Sequence, residues 1–290
     1  MFKANNSVLI RSFRDEQDVV FAAHLTKQEA WHSQTFDEIL NLFNHDREGC
    51  LLAEIDNQPV GICIATPYIK SGFIGELIVE RPYRKQGIGY TLMEKAIDYL
   101  NKRNIKTIFL DGVQNAVNMY KSLGFVPLYR SLRFFGQLEE KKSIYVRSMS
   151  ENDLQVITSM DMEYFGDDRS VFIKQRLLQY PQFSFVYEKE GMIQAYLFGK
   201  IGIGGLITAG PIGSCLEEKA QMEILSHFQT IIGNQPFSIG VLEPRISIVK
   251  QLTLGGMQPQ KDPPVRMKYG EGSNLGDHPS SLAIGSPAKG

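Results

Sequence analysis

Two hydrophobic periods alternate along this chain. Residues 8–13 read as a first strand, and Asp15-Glu16 opens an amphipathic helix running to about Glu29. Trp31 and His32 follow in a polar break, before a second short helix over residues 36–43. Residues 50–55 and 60–66, on either side of Asp56-Asn57-Gln58-Pro59, predict a hairpin. Residues 73–80 are apolar and β-branched, interrupted by Glu76 and Glu80, which marks a half-buried strand. From Ile88 the period turns helical: Ile88, Leu92, Met93, Ala96, Ile97 and Leu100 share one face, with Glu94, Lys95, Asp98 and Lys102 on the other. A strand over 107–110, a break over 111–114, a short helix over 116–123 carrying Tyr120, and a strand opened by Gly124-Phe125 complete this part.

Residues 137–143, QLEEKKS, are charged and poor in apolar side chains, and form the best boundary in the chain. Beyond it the pattern restarts. Residues 144–147 predict a strand, Ser150-Glu151-Asn152-Asp153 begins a helix much as residues 13–18 did, residues 183–187 and 192–198 predict a hairpin around Lys189-Glu190-Gly191, and residues 216–232 predict a helix. The expected organisation is an α/β (α+β) protein with domains over 1–137 and 144–290 joined by a linker at 138–143. Each domain is expected to be a mixed, mostly antiparallel sheet flanked by helices.

Composition narrows the function. The chain has 290 residues, 43% hydrophobic and 22% charged, which suits two soluble globular domains. A net charge of −1 supplies no global attraction to nucleic acid or to an anionic membrane. The opening MFKANNSVLIRSF has no apolar leader core and no run of about 18 apolar residues follows, so a cytoplasmic protein is expected. Cys50, Cys63 and Cys215 are scattered without C-x-x-C spacing and read as small core residues. The five histidines, His24, His32, His45, His227 and His278, lack ligand spacing, so no metal is expected.

The turn Arg84-Lys85-Gln86-Gly87-Ile88-Gly89 joins the strand at 73–80 to the helix after it. The first N–H groups of a helix have no partners within it, and Gly87 and Gly89 leave them uncovered, so the turn is an anion site with Arg84 and Lys85 at its mouth. G-x-x-x-x-G-K-[ST] is absent from the chain, and Leu92 stands where a G-x-G-x-x-G dinucleotide fingerprint requires glycine. The remaining pattern, R-x-x-G-x-G after a strand, followed by Tyr120 four residues before Gly124-Phe125, resembles the GNAT superfamily of acetyl-CoA-dependent N-acyltransferases. Residues 161–169 (DMEYFGDDR), 209–212, 266–270 and the closing IGSPAKG resemble a bacterial tandem group that couples a GNAT domain to a divergent GNAT-like C-terminal domain. Leu110-Asp111-Gly112 fits that group too, although the threonine it expects three residues after Leu110 is Val113. Residues 204–213 stand at the place of the phosphate loop in the second half and contain no basic residue, so no CoA diphosphate is expected there.

The resemblance implies that Leu77, Ile78 and Val79 hold the pantetheine arm, and that Arg84, Lys85, Gln86, Gly87, Ile88, Gly89, Tyr90 and Thr91 hold the diphosphate. It also implies that Tyr120 protonates the leaving thiolate. An amine of pKa near 10.4 must lose a proton before it attacks, at about 4.6 kcal/mol at pH 7. Glu76 and Glu80, on one face of the strand, are the candidate bases, with Asp111 a third. Trp31 is the candidate acceptor contact. The expected activity is transfer of acetyl from acetyl-CoA to a primary amine of a small molecule or protein, by direct attack in a ternary complex. A non-catalytic acyl-CoA sensor is the alternative, and a nucleotide-dependent oxidoreductase or kinase would rest on the Gly-Ile-Gly turn alone. Pairing of two copies through a sheet edge is open.

Overall fold

The computed structural model of the protein describes residues 8–290; residues 1–7, part of the segment read for a leader, lie outside the described residues. Chain order begins with β1 (Leu9–Ser12), α1 (Glu16–Gln28) and α2 (Phe36–His45). The hairpin β2 (Cys50–Ile55) and β3 (Gln58–Pro67) leads into β4 (Ser71–Val79), α3 (Ile88–Lys102), β5 (Thr107–Gly112), α4 (Val117–Ser122) and β6 (Val126–Gly136). The second half runs β7 (Val146–Ser148), α5 (Leu154–Phe165), α6 (Ser170–Gln179), β8 (Ser184–Lys189), β9 (Met192–Ile201), β10 (Ile207–Ser214), α7 (Glu218–Ile232), β11 (Phe237–Leu242) and α8 (Ile246–Leu254). Three short strands close it: β12 (Gln258–Pro259), β13 (Val265–Tyr269) and β14 (Ser281–Ala283). The strand expected at 144–147 begins two residues later, because Ile144 stands 92% exposed in a turn. The helix expected from 216 opens at Glu218.

Both halves start the same way for the same electrostatic reason. Arg11 on β1 meets Asp18 at the start of α1 and Glu54 on β2, each at 2.6 Å. Arg147 on β7 meets Asp153, just before α5, at 2.8 Å and Glu188 on β8 at 2.5 Å. An arginine fork thus ties first strand, first helix and next strand in each repeat.

One sheet runs through both repeats in the order β1-β2-β3-β4-β5-β13-β6-β11-β10-β9-β8-β7. β6 makes it continuous: residues 126–130 pair with β13, and residues 131–136 pair with β11. β13 lies antiparallel to both β5 and β6, so residues 265–269, from beyond the 138–143 stretch, complete the sheet of the first repeat. Arg266 anchors it, fully buried, with its Nε 2.5 Å from Asp111 Oδ1 and its guanidinium over the Phe73 ring.

Strand alternation divides the first-half core. Cys50 and Leu52 join the apolar cluster under α1 and α2, while Leu51 and Ala53 join the cluster under α3. A strand buried on both faces explains why residues 50–55 read as an unbroken apolar run. Burying each leucine of that run is worth about 1.5–3 kcal/mol.

Candidate active site

The site begins where two parallel strands part. β4 and β5 pair only through Ser71↔Thr107, Gly72↔Ile108 and Phe73↔Phe109. Beyond Phe73 the β5-facing edge of β4 has no strand partner, and its backbone groups are left for something else to satisfy. Between the Ile62↔Ile78 and Ile64↔Gly75 pairs β4 carries a bulge, with Glu76 at φ 51°. The opening leads into a cavity of about 680 Å³ lined by both halves.

At one end of β4 lies the start of α3. Gly87 caps the helix in the left-handed region, φ 84°, with no side chain satisfying the first N–H groups. Lys85 is left-handed as well, φ 62°, a conformation that recurs in the backbone nests that bind anions. A side chain added at Gly87 would meet no protein atom within 4 Å, which leaves room for a ligand. Arg84 Nε donates to the Val79 carbonyl and its Nη2 lies 2.7 Å from Glu29 Oε1, which fixes a cation at the mouth.

Tyr120 forms the facing wall. Its ring lies against Gly112, where any Cβ would come within 2.8 Å, and packs edge-on to Phe125. Burial first, then the nearby Cys63 thiol, raises its hydroxyl well above the usual phenol range, so it is held as a proton donor.

Glu76 sits deeper along β4, 3% exposed, and among the described residues its Oε2 has no hydrogen-bond partner. Burial pushes its carboxyl up to about 7; Lys200 and Lys289 oppose that shift and Glu38 assists it. The cations come from a buried network that joins the halves. Glu38 on α2 receives Arg176 from α6, Lys200 from β9 and Lys289 from the closing segment. Burial alone would raise the Glu38 carboxyl, but Lys200, Lys289 and Arg176 hold it well below the ordinary range.

Residues 284–288 line the cavity beside Glu76. They are held by Gln34 Nε2 donating to Ser286 Oγ at 2.9 Å, by the Tyr68 hydroxyl donating to the Lys289 carbonyl, and by Ala288 packing on Gly75.

The cavity lining brings together Trp31, Glu76, Leu77, Ile78, Val79, Arg84, Lys85, Gly87, Ile88, Gly89, Tyr90 and Tyr120, and leaves out Glu80, Gln86 and Thr91. Trp31 also packs against the core under α1 and α2. Asp111 lines the cavity but is engaged by Arg266, Arg133 and the Ser131 hydroxyl; the two guanidiniums outweigh its burial and keep its carboxyl low, which makes it a poor proton acceptor. Sequence reasoning missed Glu38, Lys200, Lys289 and Thr208. A lysine inside the apolar run of β9 was the one available signal, since charged side chains inside buried strands need a dedicated partner.

The corresponding opening in the second half is filled. β10 and β11 pair in parallel through Ile207↔Phe237, Thr208↔Ser238 and Ala209↔Ile239 and then part, as β4 and β5 do. Into that gap β14 inserts, pairing Ile212↔Ala283 and Gly213↔Ser281 on β10, while Ile284 N–H donates to the Gly240 carbonyl of β11 at 2.9 Å. Residues 204–213, expected at the place of the phosphate loop, are mostly β10 itself. The turn that leads into α7 is 215–217, with Glu217 capping and Glu218 in the first helical turn, charges that repel an anion.

Both halves match one family. Residues 13–125 match the Acetyltransferase (GNAT) family, and residues 157–281 match a second Acetyltransferase (GNAT) domain. The chain belongs to the GNAT acetyltransferases, with two such domains in tandem. A putative acetyltransferase from Pyrococcus horikoshii shares the fold over 100% of this chain and 98% of its own, with a TM-score of 0.79 at 20% identity. A GCN5-related N-acetyltransferase from Sphaerobacter thermophilus does so over 93% and 98%, with a TM-score of 0.66 at 15% identity. N-alpha-acetyltransferase 30 of Saccharomyces cerevisiae is 36% identical over 87 residues, 27% of this chain and 49% of its own. The chain spans about half the length of the curated relatives it matches. Among the described residues no helix is long and apolar enough to cross a membrane, and no group of acidic, histidine or cysteine residues is placed to hold a metal.

Proposed function

We propose that this protein transfers the acetyl group of acetyl-CoA to an amine acceptor, with the chemistry in the first-half opening and the second half closing the acceptor side. The observation that carries the reading is the meeting, in one cavity, of an uncovered helix start, a buried tyrosine hydroxyl and an unpartnered carboxylate displaced to about 7.

The residues present fit the co-substrate. The amides around Gly87 suit a diphosphate, and the free edge of β4 from Leu77 to Val79 suits the amide groups of a pantetheine arm. The thioester supplies the activated acetyl group. Glu76 accepts the proton of the incoming amine, a task for which a base near 7 is matched to neutral pH. A backbone N–H at the β4 bulge polarises the carbonyl, and Tyr120 gives its proton to the departing sulfur. Direct attack within a ternary complex requires no nucleophile on the protein, and both core cysteines, Cys50 and Cys63, are raised above the usual thiol range by burial.

Calorimetric titration with acetyl-CoA, followed by thiol-release assays over an amine panel, tests the reading. Binding at one site per chain and amine-dependent thiol release are expected; no binding would sink it.

A further inference from the structure

The charges around the inner end of the cavity do not balance. Glu38 is shared among three cations: Arg176 Nη2 at 3.0 Å, Lys200 Nζ at 3.3 Å and Lys289 Nζ at 2.9 Å, with all four side chains 7% exposed or less. Asp111, fully buried, is shared between Arg266 at 2.5 Å, also buried, and Arg133 at 3.1 Å, which is 14% exposed. Adding Glu76 in its ionised form, five cations stand against three carboxylates. One cation of each cluster, Lys200 and Arg133, lines the cavity. Nearby, Arg169 pairs with Asp161, and the buried Asp167 carboxylate accepts from the Ile69, Lys70, Ser71 and Asp168 amides and the Ser71 hydroxyl, which brings the surplus of positive charge from two to one. Of the other acids on the lining, Glu29 is engaged by Arg84 and Asp262 stands exposed at the rim.

A buried surplus of positive charge is disfavoured unless a counter-charge is brought to it. The same wall holds Glu76 Oε2, Gln34 Oε1 and Thr208 Oγ1, which have no hydrogen-bond partner among the described residues, and all three residues line the cavity. Lys200 also shows the imbalance. Burial lowers its ammonium to about 7 in spite of Glu38, with Arg176 and Lys289 adding to the strain. Its Nζ donates to the Ser33 carbonyl at 2.6 Å and faces Glu38, which leaves the third ammonium hydrogen of a protonated lysine for another acceptor.

We infer that the acceptor amine carries an anionic group, a carboxylate or a phosphate, and that Lys200 and Arg133 select for it while Glu76 receives the amine. The inference rests on the acetyl-transfer reading and deepens it. Lys200, a residue of the second half, then determines specificity for chemistry done in the first. A small amine with an acidic group meets both carboxylate and cation in the cavity; the neutral analogue leaves the surplus charge uncompensated.

Matched pairs of amines test this with the full chain: glycine against glycinamide, 4-aminobutyrate against butylamine, and phosphoethanolamine against ethanolamine, scored by thiol release from acetyl-CoA. The anionic member of at least one pair is expected to have a tenfold or greater advantage in kcat/KM, and the pair that responds distinguishes carboxylate from phosphate. Lys200→Met is expected to erase that advantage mainly through KM, and Lys200→Arg to keep part of it. Equal rates within every pair, thiol release with none of the anionic amines, or an advantage that survives Lys200→Met each overturn the inference. Should Lys200→Met fail to fold, the wild-type pairs still decide, together with inhibition by propionate but not propionamide. Acetyl-CoA titration runs alongside: binding without the preference sinks only the acceptor inference, whereas no binding sinks the function itself.

Discussion

Beyond Phe73 the strands β4 and β5 part around a cavity, whereas beyond Ala209 the strands β10 and β11 part around β14. The two repeats share strand order, crossover helix and even the arginine fork at their start, so the backbone plan alone does not distinguish the two openings. Two local features set them apart. The turn into α3 carries Arg84, Lys85 and Gly87, and the turn into α7 carries Glu217 and Glu218. One opening is left free, and the other is closed by the chain's own strand. The strand that fills the second opening leads directly into residues 284–288, which line the first. The second repeat thereby supplies one wall of the cavity that opens in the first.

The sharpest test of this contrast lies in the first opening. Glu76→Gln is expected to lower kcat by about 10²–10⁴-fold with little change in acetyl-CoA affinity. The pH profile supplies the sign: Glu76 must be ionised to accept a proton, and its value is raised to about 7, so kcat/KM should rise with pH through about 7. That limb should vanish in Glu76→Gln; a profile unchanged by the substitution would remove the base from the scheme.

On the other side of the comparison, Leu282→Ala removes a buried residue, 4% exposed, from the inserted strand. A loss of about 2–5 kcal/mol in unfolding free energy is expected, read from denaturant midpoints. Acetyl-CoA should still titrate at one site per chain. A second site appearing in that variant would show that β14 alone keeps the second repeat silent.

Gly87→Glu and Gly205→Glu form a matched pair. Both glycines are left-handed, φ 84° and 82°, and neither has a protein atom within 4 Å of an added Cβ, so backbone strain is similar. Only the first stands at an anion-receiving helix start. Acetyl-CoA affinity measured by calorimetry should fall about a hundredfold in Gly87→Glu, a change of about 2.7 kcal/mol, and stay near wild type in Gly205→Glu. Equal effects would place the diphosphate elsewhere. Last comes Tyr120→Phe: kcat lower by about 10²-fold, the low end of general-acid effects, with acetyl-CoA affinity retained, since the ring stays packed on Gly112 while the proton is lost. Wild-type turnover there would end the role of the hydroxyl.

Much of the first repeat was legible because its signals are local. A period change from two to 3.6 across Arg84–Gly89, with a tyrosine set before Gly124-Phe125, specifies strand, anion turn, helix and wall from adjacent residues. The restart after residue 143 was legible for the same reason. β13 was not, since nothing in VRMKY tells which strands it will join; its partners β5 and β6 lie more than a hundred residues earlier, and burial of Arg266 against Asp111 fixes the choice. Glu38 was equally hidden. On a short amphipathic helix it looks like a solvated acid until α6, β9 and residue 289 arrive from the other half. Glu80, paired with Glu76 by strand alternation, falls outside the cavity: β4 ends at Val79, and Glu80 stands in the turn beyond it with its N–H donating to the Val60 carbonyl.

The wedge of β13 between β5 and β6 also sets an order of events during synthesis. While a ribosome is still making the second half, the earlier repeat has an open seam in its sheet, and Asp111 beneath it has Arg133 and Ser131 but lacks Arg266. That seam is not closed until residue 269 has emerged, so the first repeat is expected to complete its sheet last although it is translated first.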